Sequence, residues 1–441
     1  MVGTSLLVIL SANACEGPTG PAGPSGPSGP TGPGGPAGPP GASAGASGQG
    51  GGGQGGGGNV TGALPTSCLQ PCHGFTGMVE QWKTSTHYAA FVSNLGGDEV
   101  PTWTGEGRAC GNCHASDALE VRAAGAIGTQ GGAQVANVTK GQIGYLAPTN
   151  GAYAESTYQG TSNVASVACL TCHAVTAETD PHRTGASYTE GAFPLRVPFG
   201  AEDEAYLEKS PTVGVATGSP GGQRGPANTC MWCHKSRKDV TNYITPSTKV
   251  TSVHWGPHDG PQADIYTGSG GYHYVGMQYG TSTHEQKATC VDCHMTPVAA
   301  NGATADHSFD AKLGACTNCH QGATSFDVIG GQSAVAAGLR ELRTALNVAG
   351  LLTRATEPPF GPLTDDELAD AEFGLDHARP NGGPDGGPTV LTADEAGALY
   401  NYFLAARGSA LGVHNPPYTK QLLFDSHVAI TGQPPLTIAR P

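Results

Sequence analysis

The chain has 441 residues, 13% of them charged, and a formal net charge of −14. That acidic balance argues against nucleic acid and anionic membrane surfaces as partners, without identifying a positive one. Hydrophobic residues make up 37% and aromatics 6%, low for this length, so the chain's own side chains supply a sparse apolar interior.

At the N-terminus, Leu6-Leu7-Val8-Ile9-Leu10 is a short apolar run, followed by Ser11-Ala12-Asn13-Ala14 and then Cys15. Small residues before a cysteine read as a lipoprotein cleavage site, with 1–14 as signal peptide and Cys15 as the acylated first residue of the mature chain. The stretch departs from that pattern in having no positive n-region and in placing Ala12 where leucine is more usual, and a plain cleaved secretory signal is the other reading. No other apolar run approaches the roughly eighteen residues of a membrane span.

Residues 17–43 form nine consecutive Gly-x-y triplets, from Gly17-Pro18-Thr19 to Gly41-Ala42-Ser43. Glycine at every third position is the collagen register, because only glycine fits at a triple-helix axis. A single-chain, semi-rigid spacer reaching about 80 Å is the reading adopted over a trimerising triple helix. Residues 48–58, almost all glycine, follow as a flexible joint. The whole of 15–58 thus reads as a lipid-anchored tether.

Twelve of the thirteen cysteines then fall into six pairs, each followed directly by a histidine. Five are C-x-x-C-H: Cys110/Cys113/His114, Cys169/Cys172/His173, Cys230/Cys233/His234, Cys290/Cys293/His294 and Cys316/Cys319/His320. The first pair, Cys68/Cys72/His73, has one extra spacer residue. C-x-x-C-H is the attachment signature of c-type haem: the thiols add to the vinyl groups, which places the histidine under the iron as proximal ligand. Chance would supply only ~0.01 such motif in this composition. Zinc would need cysteine pairs to converge and would not require a histidine after every pair. For Cys68/Cys72 a disulfide with a chance His73 competes more strongly. Six covalent haems (iron as haem c) are therefore expected, attached outside the cytoplasm and supplying the apolar interior that the side chains lack.

From Cys110 to Cys290 the motifs start about sixty residues apart, and the last two start 26 apart. The segments between them are rich in Gly, Pro, Ser and Thr and offer few helical periods. The expected fold is mainly irregular with short α-helices and little β, built around a haem chain, with a core over 59–324. Residues 325–441 read as a helical C-terminal cover. There, Val335, Leu339, Leu342 and Leu346 fall at helical spacing within 333–351. Thr364-x-x-Glu367 and Thr392-x-x-Glu395 read as capping boxes, the second helix ending near Gly408. Pro416-Pro417 is expected to break the chain before a last short helix around Leu422-Leu423.

Each iron needs a second ligand. The five methionines are Met1, Met78, Met231, Met277 and Met295, whereas ten histidines lie outside the motifs: His87, His182, His254, His258, His273, His284, His307, His377, His414 and His427. Histidine is the expected distal ligand. His87 follows His73 by fourteen residues, ~21 Å on a helix, so it should serve another iron. His284 lies six residues before Cys290 and His307 nine before Cys316, which would force neighbouring haems close together.

Trp255-Gly256-Pro257-His258-Asp259-Gly260-Pro261-Gln262-Ala263-Asp264 resembles a stretch recurrent in multihaem cytochromes of metal-reducing bacteria. So do the W-x-x-S-x-H stretch ending at His87, the segment Cys290–Met295, and Gly412-Val413-His414-Asn415-Pro416. The resemblance spans roughly 65–427 and implies distal ligation by His258 and His414. His182 completes the set with less support, His254 being its rival and His427 a reserve. Six haems on this length look like the outer-surface hexahaem cytochromes, some of which polymerise into conducting filaments; the collagen-like stalk departs from that type.

The resemblance implies an electron carrier at the cell surface, as an outer-membrane lipoprotein facing outside or an extracellular protein, the periplasm being the lesser alternative. Its partners would be other redox proteins or extracellular acceptors such as ferric minerals, with a homo-oligomer or filament left open. Six-coordinate iron has no site for substrate and passes single electrons, so no catalytic residue is assigned. The alternative is an enzyme, a multihaem reductase of nitrite, hydroxylamine or a sulfur oxyanion, with one five-coordinate haem. No C-x-x-C-K motif is present, and histidines are abundant enough to close every iron.

Overall fold

The computed structural model describes residues 77–89, 111–123, 129–130, 133–134, 167–174, 195–196, 205–208, 214–215, 227–297, 305–354, 373 and 376–441. The leader 1–14, Cys15, the triplets of 17–43, the joint 48–58, Cys68, Cys72, His73, Cys110, His182 and the helix expected at Thr364 lie outside them.

Among the described residues up to His320, irregular chain and one-turn helices dominate. Among the described residues, strands come only as antiparallel pairs of two or three residues, such as Thr248–Val250 with Thr389–Leu391 and Leu352–Arg354 with Asp376–Ala378. The fold class is the expected one, mainly irregular with short helices.

Three longer helices follow among the described residues. Gly331–Val348 carries its apolar stripe inward: Val335, Leu339, Leu342 and Leu346 are each 0% exposed. Burying each such side chain is worth about 2 kcal/mol, which holds the helix against its neighbours. Ala393–Arg407 opens on the anticipated box, Thr392 Oγ1 accepting from the Glu395 N–H and Glu395 Oε2 accepting from the Thr392 N–H. From Ala396 to Ala406 every residue is buried, so this helix is central rather than amphipathic.

The last helix corrects the sequence reading. Pro416 and Pro417 do not break the chain before a short helix; they are the first turn of a 16-residue helix, Pro416–Thr431, capped by the Asn415 side chain. Proline is at home there because a first-turn N–H has no intrahelical acceptor to lose, and its fixed φ is already helical.

The core crosses between the two halves of the chain. Val240, Ile244, Val250, Trp255 and Ile265 bury in one cluster with Leu339, Leu399, Phe403 and Leu422. Gly397 marks its tightest approach, since a Cβ there would sit 2.1 Å from Cδ1 of Tyr272. Gly397→Ala should therefore destabilise: overpacking costs about 1–3 kcal/mol and exceeds the helix-propensity gain of about 1 kcal/mol. In a Tyr272→Ala background the same change should stabilise, which paired denaturation curves would read directly.

Candidate functional site: paired histidines beside the cysteine motifs

The described C-x-x-C-H segments coil into about one turn, which brings cysteines three residues apart onto one side. Cys290–His294 is the clearest, its N-terminus closed by Thr289 with Asp292 Oδ2 accepting from the Thr289 N–H at 2.6 Å. Cys113 lies in the turn Gly111–His114, half-buried, while its partner Cys110 is outside the described residues. Cys233 departs from the helical pattern. The helix Ala227–Met231 stops before it, and its N–H closes a following turn on the Cys230 carbonyl at 3.1 Å. There it packs against the apolar cluster of Leu119, Leu207, Met231 and Trp232.

Cys113 and Cys233 were expected as covalent haem anchors, as were the other motif cysteines. In the structure both are half-buried cysteines outside any disulfide, and the same holds for Cys172, Cys230, Cys290, Cys293 and Cys316, with Cys169 and Cys319 exposed. No group of three or more metal-binding side chains occurs among the described residues.

Every described motif histidine has the ring of a second histidine close to it. His114 stands 6.2 Å from His258 between ring centres, His173 6.3 Å from His307, and His234 6.0 Å from His87. His294 stands 6.3 Å from His414, and His320 6.1 Å from His284. The five partners are the non-motif histidines at which distal ligands were expected, apart from His182. A bound metal lies ~2 Å from an imidazole nitrogen, itself about 1.1 Å from its ring centre, so two rings flanking one metal have centres roughly 6 Å apart. The observed separations fit one iron between each pair.

The protonation chemistry agrees. His258 Nδ1 lies 2.8 Å from the Asp259 carbonyl, His284 Nδ1 2.8 Å from that of Val413, His294 Nδ1 2.7 Å from that of Phe309, and His307 Nδ1 2.9 Å from that of Ala305. A carbonyl can only accept, so each Nδ1 donates and Nε2 keeps the lone pair that a metal takes. His234 Nδ1 meets Gln262 Oε1 at 3.2 Å in the same way. Nε2 of His258 is buried without a hydrogen-bond partner among the described residues, as a ligand atom would be. His414 differs, its Nδ1 being the atom without such a partner.

Burial favours the neutral, ligating form of six of the paired rings. It pulls His87 down to about 4, with the neighbouring His234 and His114 adding to the effect. His114 is likewise lowered to about 4 by burial, then by Arg237 and His234. His414 falls to about 4 through burial and the charges of His294, His234 and His284, and burial lowers His258, His234 and His307 too.

Packing explains how distant segments deliver these rings. His87 sits in a helical turn whose neighbours reach the His173/His307 site: Trp82 Nε1 donates to the Val167 carbonyl (3.0 Å), and Gln81 Oε1 accepts from the His307 N–H (2.8 Å). The His258 loop is held by two separate elements. The His258 N–H donates to the Ser236 carbonyl (3.0 Å), and Arg407 donates to the Pro257 carbonyl (2.6 Å) while stacking on Phe403. His284 is tied to the Val413 carbonyl, next to His414.

The paired sites are neighbours of one another. His234 lies within electrostatic reach of His114, His294 and His414, and the Cys230 and Cys290 thiols are in hydrogen-bond contact. Cys172 feels the charge of Cys230, and Cys293 that of Cys316 and Cys319. The Cys230 site is thus central to the group.

Beside it lies a buried polar cluster that no sequence signal announced. Lys235, adjacent to His234, pairs with Glu208 at 2.9 Å, their side chains 0% and 2% exposed. Asp264 accepts from the Ser236 N–H at 2.7 Å and from its Oγ at 2.8 Å; burial pushes the Asp264 carboxyl up to about 6. His254 and His377 form a further ring pair at 5.8 Å, neither belonging to a motif. His427 sits in the last helix, 3.9 Å from Glu341. His273 stacks on Tyr279 at 4.2 Å.

No family model matches the chain, and no curated protein does. Among solved structures it is similar to the crystal structure of the outer cell wall cytochrome OcwA, at 17% identity and a TM-score of 0.40. That alignment covers 81% of this chain and 50% of the other, so the chain spans about half the length of the structure it matches.

Proposed function

We propose that the protein is a multihaem c-type cytochrome that carries electrons through closed, bis-histidine haems at the cell surface. The observation that carries this reading is the pairing of all five described motif histidines with a second imidazole at 6.0–6.3 Å. Bound haem supplies reversible one-electron chemistry and a large apolar face.

The chain's own residues do the rest. The cysteine pairs, Cys110/Cys113 and Cys230/Cys233 among them, would hold each haem covalently, and the paired histidines would supply its two iron ligands. The carbonyls of Asp259, Val413, Phe309 and Ala305 hold Nδ1 protonated, which would leave Nε2 free to bind the metal. Closure of the five sites supports a carrier over a reductase, which needs an open iron. Closeness of the sites supports transfer between them.

The sixth haem is proposed at Cys68, Cys72 and His73, with His182 as distal ligand. The surface location, the Cys15 anchor and the collagen-like tether are proposed from the sequence, as are transfer to other redox proteins or mineral acceptors and any oligomer or filament. Mass spectrometry of the mature protein tests the cofactor content. The expected mass is that of the chain plus six haems, with a lipid on Cys15. Five haems and a Cys68–Cys72 disulfide would remove the first site, and a chain without covalent haem would remove the whole reading.

A further inference from the structure

We propose that Phe309 is a positioning residue for three of these sites at once, its carbonyl orienting His294 and its ring fixing the planes of His87 and His307. The inference rests on the haem reading above and adds to it a residue that binds no metal itself. The Phe309 carbonyl accepts from His294 Nδ1 at 2.7 Å. Its ring meets His87 edge-on at 4.9 Å and 71°, and His307 at 5.9 Å and 68°. His294 and His307 belong to the Cys290 and Cys169 sites, and His87 to the Cys230 site.

The backbone shows that this arrangement is held against resistance. Phe309 has φ +58°, in the left-handed region that bulky side chains rarely enter. Such a conformation persists only where the surroundings over-determine it. Here they do. The Ser308 N–H donates to Asp306 Oδ1 (2.8 Å), Lys312 Nζ pairs with Asp306 (3.2 Å), the Lys312 N–H donates to the Cys293 carbonyl (3.3 Å), and the His307 N–H is held by Gln81 (2.8 Å). The left-handed turn lets one residue give its carbonyl to one site and its ring to two others.

An imidazole bound through one nitrogen can still rotate about its bond to the metal, so its plane is set by what touches the ring. His307 has the Ala305 carbonyl as a second restraint. His87 makes no ring hydrogen bond among the described residues, and the aromatic rings it meets there are those of Phe309 and His234.

Electron paramagnetic resonance of the ferric holoprotein tests this, because the g-values of a low-spin haem follow the angle between its two axial ring planes. Phe309→Gly suits the left-handed turn and keeps the carbonyl while deleting the ring. The signals of the His87/His234 and His173/His307 centres, assigned through His87→Met and His307→Met, should shift. Those of the His114/His258, His294/His414 and His284/His320 centres should stay. Phe309→Tyr, which restores the ring, should reproduce the wild-type spectrum. Should the glycine variant fold poorly, Phe309→Leu removes the ring and keeps the bulk, and the same two signals should move. A ring-deleted spectrum superimposable on wild type would overturn the proposal, as would equal shifts at all five centres. A wild-type protein with no low-spin haem would instead sink the haem reading beneath it, a failure visible before any variant is made.

Discussion

Replacing His414 by alanine should open one iron and only one. His414 faces His294 at 6.3 Å, and the Val413–Asn415 segment holds no other imidazole to take its place. The ferric protein should gain a high-spin signal equal to one haem per chain while the remaining haems stay low-spin. Loss of an axial imidazole also removes the ligand that favours the ferric state, so the potential of that haem should rise. His254→Ala is the matched control. Its ring pairs with His377 at 5.8 Å, outside every motif, so the spin states should be unchanged. A high-spin signal from His254→Ala and none from His414→Ala would reverse the assignment of the two.

The second large effect concerns stability rather than coordination. Glu208→Ala removes the 2.9 Å partner of an ammonium group that is 0% exposed, one residue from His234. Breaking a buried ion pair on one side costs about 3–5 kcal/mol, because the remaining charge stays desolvated. Replacing both partners with apolar groups, as in Lys235→Met with Glu208→Leu, should cost far less, since the pair's attraction is largely offset by its own desolvation. Denaturation of the holoproteins checks the difference. Equal losses in the single and double variants would mean that the pair matters for packing shape, not for charge.

Much of the arrangement was legible in the sequence because it is written in local patterns. The C-x-x-C-H spacing dictates a single turn with both thiols on one side, and the Val335–Leu346 stripe and the Thr392/Glu395 box fix two long helices. His87, His258, His284, His307 and His414 stood out by local context or resemblance, and the structure sets each of them against a motif histidine.

Which motif each would meet was not legible. His87 crosses 147 positions to reach His234, and His114 crosses 144 to reach His258; such pairings depend on tertiary packing that no spacing records. Phe309 was invisible for a different reason. Its role comes from a left-handed backbone and a carbonyl, neither of which its residue type announces. The Lys235–Glu208 pair was hidden because two charged residues far apart in sequence normally read as solvated surface. The Pro416-Pro417 misreading came from weighing proline as a breaker where it was an initiator, the Asn415 cap before it being the signal that decides between them.

Iron-edge anomalous diffraction from crystals of the holoprotein tests the central claim most directly. An iron peak is expected between the rings of each pair, His114/His258, His173/His307, His234/His87, His294/His414 and His320/His284. Irons bound by the motif histidines but with the five partner rings turned elsewhere, or peaks at the zinc edge in place of iron, would contradict it.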